Sequence, residues 1–99
     1  MSDEIPSSLK LKVISSNRLL FEGTVEEVTF PGLEGYLGIL PGHRPLFTAL
    51  GEGELTFQKS GRDRNFTVKE GYAEITQDSV LVFINPKKDK NEHSNKQTG

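Results

Sequence analysis

The chain has 99 residues, twelve Lys or Arg against fourteen Asp or Glu, a formal charge of −2, 33% hydrophobic residues, and neither Trp nor Cys. That length fits one domain with one modest core, and the missing Cys excludes a disulfide framework and thiolate metal sites. Residues 87–99 carry four Lys and two acids, which leaves eight basic and twelve acidic residues in 1–86; this acidic body excludes the basic footprint that nucleic acid requires.

The first segment, "MSDEIPSS", is acidic and polar, so residues 1–8 read as a flexible N-terminus and not as a secretory leader. In "LKLKV", Leu9, Leu11 and Val13 point one way and Lys10 and Lys12 the other, the period of a strand. The chain then turns at Ser15, Ser16 and Asn17 into a second apolar run, "RLLF". "VEEVTF" resumes with Val28 and Phe30 on one face and Glu27 and Thr29 on the other. The doubled Glu26–Glu27 breaks the alternation and predicts a β-bulge that bends a long strand over the core.

The next stretch, "FPGLEGYLGILPGH", packs four glycines, two prolines and His43 among large apolar residues. "PGLEG" reads as a turn, "YLGIL" as a short strand and "PGHRP" as a second tight turn, with Pro31 and Pro41 each removing a ladder donor. Gly32, Gly35, Gly38 and Gly42 suit turns and close backbone approach. Leu37 and Ile39 are expected to face one side and Tyr36 the other. Turn geometry accounts for the glycines but leaves Tyr36, His43 and Arg44 unexplained at the rim.

"PLFTAL", "ELTFQ", "NFTVK", "YAEIT" and "VLVFI" follow, separated by turn signals at 51–53, 60–63, 70–71 and 77–78. "SGRD" between "LTF" and "FTV" is the clearest hairpin, and "VLVFI", without a polar alternate, is expected to be buried on both faces. No segment has a helical repeat of ten residues, so the reading is an all-β sandwich or barrel. Pro86 ends the last strand, and residues 87–99, without apolar side chains, read as a disordered polar tail. "VLVFI" is also the longest unbroken aliphatic or aromatic run, too short to insert across a bilayer.

The chemistry-bearing patterns are few. There is no P-loop, no nucleophile elbow, and no spacing that suggests zinc or calcium. Glu34 and His43, at the two ends of the glycine-rich stretch, are the candidate acid–base pair, but nothing local supplies a nucleophile or an oxyanion hole. A loop carboxylate and a positioning histidine are the plainer reading, with no catalytic residue, cofactor or metal.

The stretch resembles the epsilon subunit of the F-type ATP synthase, in which a G-x-E-G-x-x-G-x-x-P-x-H-x-P pattern joins two strands. Here Gly32, Glu34, Gly35, Gly38, Pro41, His43 and Pro45 match it. "LFEG" at 20–23 lies where the family's opening strands have it, and "FTVKEGYAEITQDSVLVF" resembles the closing strands. The resemblance implies a β-sandwich of two five-stranded sheets over residues 9–86. It implies a non-catalytic central-stalk subunit that binds the gamma subunit, rests on the membrane c-ring, and so couples ion translocation to ATP synthesis or hydrolysis. The alpha/beta head would be an indirect partner, and the location the cytoplasmic face of the plasma membrane, as a peripheral component. Leu33, Glu34, Gly35 and Tyr36 match the loop facing the c-ring; His43, with Arg44 beside it, matches the gamma-facing position; Gly32, Gly38 and Gly42 serve as turn glycines. Two departures stand out. Many members carry an acid at the position of Tyr36, and typical members continue into a C-terminal helical hairpin. That hairpin is expected to be absent here, with the inhibition and ATP sensing it confers. The competing reading is a free-standing β-sandwich module for another protein or a sugar; the lack of Trp and the presence of only two Tyr count against sugar.

Overall fold

The computed structural model describes residues 7–16 and 18–85; the tail expected at 87–99, Pro86 and most of the N-terminus fall outside them. Among the described residues nine strands follow one another: β1 (Leu9–Ser15), β2 (Arg18–Val25), β3 (Glu27–Gly32), β4 (Gly35–Ile39), β5 (Leu46–Leu50), β6 (Gly53–Lys59), β7 (Arg62–Val68), β8 (Glu70–Ile75) and β9 (Ser79–Asn85). They occupy the apolar segments of the sequence, several of which keep a period of two. In β1, for instance, Leu9, Leu11 and Val13 are buried while Lys10 is exposed and Lys12 half-buried.

The strands pair in the order β2-β1-β9-β8-β5-β3-β6-β7, with β4 on the other edge of β3. The β1–β9 ladder is parallel and the other ladders antiparallel. The class is all-β, as expected, but the two separate five-stranded sheets are not found. One half has five strands, β2-β1-β9-β8-β5, and the other four, β4-β3-β6-β7, joined by one rung, Gly32↔Leu50. Beside that rung the Gly51 N–H donates to the Pro31 carbonyl at 2.8 Å, so the ladder stays continuous where the sheet folds over.

The inner faces of both halves share one core, which includes Leu9, Leu11, Val13 and Val82 from the first and Val28, Phe30, Leu55 and Phe57 from the second. Phe21 of β2 and Phe57 of β6 meet across it with ring centroids 4.4 Å apart. Burying each such side chain contributes about 1.5–3 kcal/mol before conformational entropy is offset.

Two local expectations are corrected. Glu26 is not a bulge inside a long strand: it is a bend between β2 and β3, its N–H donating to the Gln58 carbonyl at 2.9 Å, so the chain changes halves there. The register slip lies instead in the β1–β2 hairpin, where Val13 pairs Phe21 but Ile14 pairs Leu19. The additional residue, Leu20, lets Leu20 and Phe21 both pack on the core. In β9, Val80, Val82 and Ile84 are buried, but Leu81 and Phe83 are only half-buried, because among the described residues no further layer covers the outer face of the five-stranded half.

Candidate functional site

The residues singled out in the glycine-rich stretch divide between the two ends of the sandwich. The β3–β4 hairpin turns at Leu33 and Glu34, with Gly32 opposite Gly35. Gly35 has φ +139°, a backbone state that side-chain-bearing residues rarely adopt, while a Cβ there would meet nothing within 4 Å. Glycine is therefore required by the dihedral and not by crowding. At Gly32 the reverse holds: a Cβ would sit 2.8 Å from the Gly35 carbonyl oxygen. Leu33 is 72% exposed, and its Cδ2 lies over Gly51, 3.5 Å from where a Cβ would be. The rungs Gly32↔Leu50, Leu50↔Gly71 and Gly71↔Ile84 put this hairpin at the end of the sandwich where β9 finishes.

The opposite end carries Gly42, His43 and Arg44. The His43 N–H donates to the Leu40 carbonyl at 3.2 Å, and the Gly42 N–H donates to the Gln77 carbonyl at 2.8 Å, which ties this turn to the β8–β9 connection. Gly42 has φ +90°. The His43 ring is half-buried, and its Nδ1 lies 2.7 Å from the Arg44 carbonyl. A carbonyl only accepts, so in this contact Nδ1 is the donor. Arg44 is exposed and lines a shallow groove with Pro45, Gln77 and Asp78.

All five residues of β4 separate Glu34 from His43, a span of about 16 Å at the usual strand rise. They do not face each other, and the acid–base pair is not assembled. Leu37 and Ile39 face the core and Tyr36 faces out, as expected. Gly38 has only ordinary neighbours, with Glu27 Oε2 and Thr29 Oγ1 each 3.9 Å from a notional Cβ, so nothing around it demands glycine.

Sequence reasoning missed an apolar stripe on the outer face of the five-stranded half. Register sets Leu19, Ile14, Phe83, Tyr72 and Ala49 side by side across β2, β1, β9, β8 and β5. Tyr72 stacks on Phe83 with centroids 4.9 Å apart and meets Phe47 at 5.4 Å. Phe47 is 65% exposed and Leu19 54%. The signal was present in "VLVFI": apolar residues at both parities mean either two covered faces or one uncovered apolar face.

An exposed apolar tip at one end and an apolar stripe on one outer face, among the described residues, are the kind of surface that protein contacts use. Residues 8–86 match the family model of the ATP synthase Delta/Epsilon chain β-sandwich domain, and the chain belongs to that family. Among its relatives, the ATP synthase epsilon chain of Solibacter usitatus is 42% identical over 79 residues, covering 80% of this chain and 59% of that one. The epsilon chain of Prochlorococcus marinus strain MIT 9303 is 40% identical over 78 residues, covering 79% and 59%. The chain thus spans about three fifths of the length of the curated relatives it matches. A chain in the Euglena gracilis mitochondrial ATP synthase structure (OSCP/F1/c-ring) shares the fold with TM-score 0.79 at 19% identity, covering 96% of this chain and 64% of that one. One in the Tetrahymena thermophila central stalk and c-ring structure does so with TM-score 0.67 at 11% identity, covering 98% and 77%.

Proposed function

We propose that the chain is a non-catalytic rotor subunit of an F-type ATP synthase, linking the gamma subunit to the c-ring and so coupling ion translocation to ATP synthesis or hydrolysis. The observation that carries this reading is the family match over residues 8–86, with relatives called ATP synthase epsilon chain near 40% identity. The geometry supports it in two ways. The hairpin at 33–36 offers an apolar tip, Leu33, next to a carboxylate, Glu34, a suitable surface for the polar loops of a membrane ring. The His43–Arg44 turn offers a second surface, at the opposite end from that tip, for gamma, and the apolar stripe offers a further apolar face on the outside of the five-stranded half. On this reading the protein works peripherally, at the cytoplasmic face of the membrane, and meets the alpha/beta head only indirectly.

The test is co-expression with gamma and the c subunit of the same organism, followed by purification from membranes at low and high salt. A stoichiometric complex with gamma that survives high salt is the expected result. A chain that elutes free under both conditions, although folded, would overturn the reading.

A further inference from the structure

We infer that Tyr36 is a positioning residue: its hydroxyl replaces a backbone acceptor missing from the β3–β6 ladder and so fixes the β3–β4 hairpin tip on the β5–β6 connection. The inference rests on the proposed docking role only for its consequence, not for its geometry.

The β3–β6 ladder runs Glu27↔Gln58, Val28↔Phe57, Thr29↔Thr56 and stops. Two residues further along the same register, Pro31 would stand opposite Glu54. Pro31 has no N–H to give, and its carbonyl already accepts the Gly51 N–H at 2.8 Å. The Glu54 N–H therefore needs another acceptor on that side. Tyr36 of β4, paired with Pro31 of β3, reaches over the β3 backbone and supplies it, the Glu54 amide donating to the hydroxyl at 3.0 Å.

The ring can lie there only because residue 53 is glycine. A Cβ on Gly53 would collide with the Tyr36 hydroxyl and stand 2.9 Å from Pro31 Cβ. Gly53 is thus an open floor for the phenol. The hairpin is then held to the β5–β6 connection and the start of β6 at three points: Gly51 N–H to Pro31, Leu33 on Gly51, and Tyr36 to Glu54. With those in place the tip keeps one angle to β6, and Leu33 and Glu34 are the groups presented. Tyr36 lies on the outer face, with its hydroxyl turned back to the Glu54 amide, so the position where many family members carry an acid serves here to orient the loop.

The test is amide hydrogen exchange by NMR on the whole chain. Tyr36→Phe keeps the ring and removes the acceptor; Glu54 exchange should rise on the order of tenfold, and Val82 should not change. Gly53→Ala displaces the hydroxyl from the other side and should produce the same rise, with the double variant no faster than either single one. Unchanged Glu54 protection in Tyr36→Phe overturns the inference. So does a pattern in which Phe behaves as Tyr while Tyr36→Leu loosens the loop, because the ring and not the hydroxyl would then be the brace. Coupling in the assembled complex separates the two readings: if Leu33→Ser leaves coupling intact while the exchange results hold, the docking role fails and the brace stands.

Discussion

The guanidinium of Arg64 lies 5.6 Å from the centre of the Phe21 ring, so a cation on one edge strand of the sandwich covers an aromatic on the other. Arg64 pairs with Phe57 in the β6–β7 ladder and so points inward, 5.9 Å from that ring as well. An inward-facing charge on an edge strand also discourages pairing with a further chain. Nearby, Lys59 Nζ donates to the Thr24 carbonyl at 3.3 Å across the same seam. Arg64→Ala should cost about 0.5–1 kcal/mol through the lost cation–π contact, and Arg64→Met, which keeps an apolar stem over the rings, roughly half of that. Urea midpoints of the two variants check the order; an Ala variant as stable as the parent would mean the rings do not need the cation.

Gly71 is the position most sensitive to a single methyl group. A Cβ there would collide with the Phe83 carbonyl oxygen and stand 2.9 Å from the Ile84 Cα, and both of those atoms are backbone. Gly71→Ala should destabilise by about 1–3 kcal/mol, which lowers Tm by several degrees for a domain of this size. Calorimetry reads it directly.

The opposite sign is expected at the β6–β7 turn. Ser60 and Gly61 have φ of 54° and 77°, the two positive values of a type I′ hairpin. Serine bears a left-handed penalty there that Asn largely escapes. Ser60→Asn should therefore stabilise by about 0.5–1 kcal/mol and raise Tm. A lower Tm would mean the Ser60 hydroxyl does something the hairpin geometry does not reveal.

At the hairpin tip, Gly35 and Gly38 should behave differently. Gly35→Val forces a β-branched residue to φ +139° and should cost about 1–3 kcal/mol. In an assembled complex it should also uncouple ATP hydrolysis from ion pumping, since the tip can no longer hold its turn. Gly38→Ala meets only ordinary contacts and should lie within about 0.5 kcal/mol of the parent with coupling intact. Normal coupling in a Gly35→Val complex that assembles fully would remove the tip from the interface.

His43→Ala should separate folding from association. The turn is held by backbone bonds from His43 to Leu40 and from Gly42 to Gln77, neither of which needs the ring. Stability should change by less than about 1 kcal/mol, while affinity for gamma should fall roughly fivefold or more. If binding per folded molecule is unchanged, the ring serves only its bond to the Arg44 carbonyl.

What was legible in the sequence was what is local. Apolar runs, several of them alternating, marked the segments that became strands, although β2 and β3 read as one long strand, and the "SGRD" hairpin and the turn at Gly35 announced themselves by residue type. The parts that escaped depend on register between distant segments. Nothing near Leu20 says that Ile14 will pair Leu19 and not the next residue along. Nothing near Tyr36 says that Glu54 will lack a backbone acceptor eighteen positions away. The apolar stripe was half legible: Leu81 and Phe83 were noticed as apolar but assigned to a covered face. The family resemblance identified the fold, yet it could not say what Tyr36 does in place of an acid, because that follows from this chain's own Pro31 and Gly53.

The parallel pairing of β1 with β9 has a consequence for how the molecule is made. Lys10 through Ile14 find their partners at Ser79 through Phe83, and β9 is flanked by β1 on one side and β8 on the other. Synthesis proceeds from the N-terminus, so the first hairpin emerges with its apolar side chains and must wait until almost the whole domain has left the ribosome before a central strand arrives to receive it. The β6–β7 hairpin, with local pairing, can form much earlier. Closure of the five-stranded half is thus a late, long-range event, with the slow folding that such pairing entails, and a nascent chain halted before Ser79 would expose the inner faces of β1 and β2 to chaperones or to its neighbours.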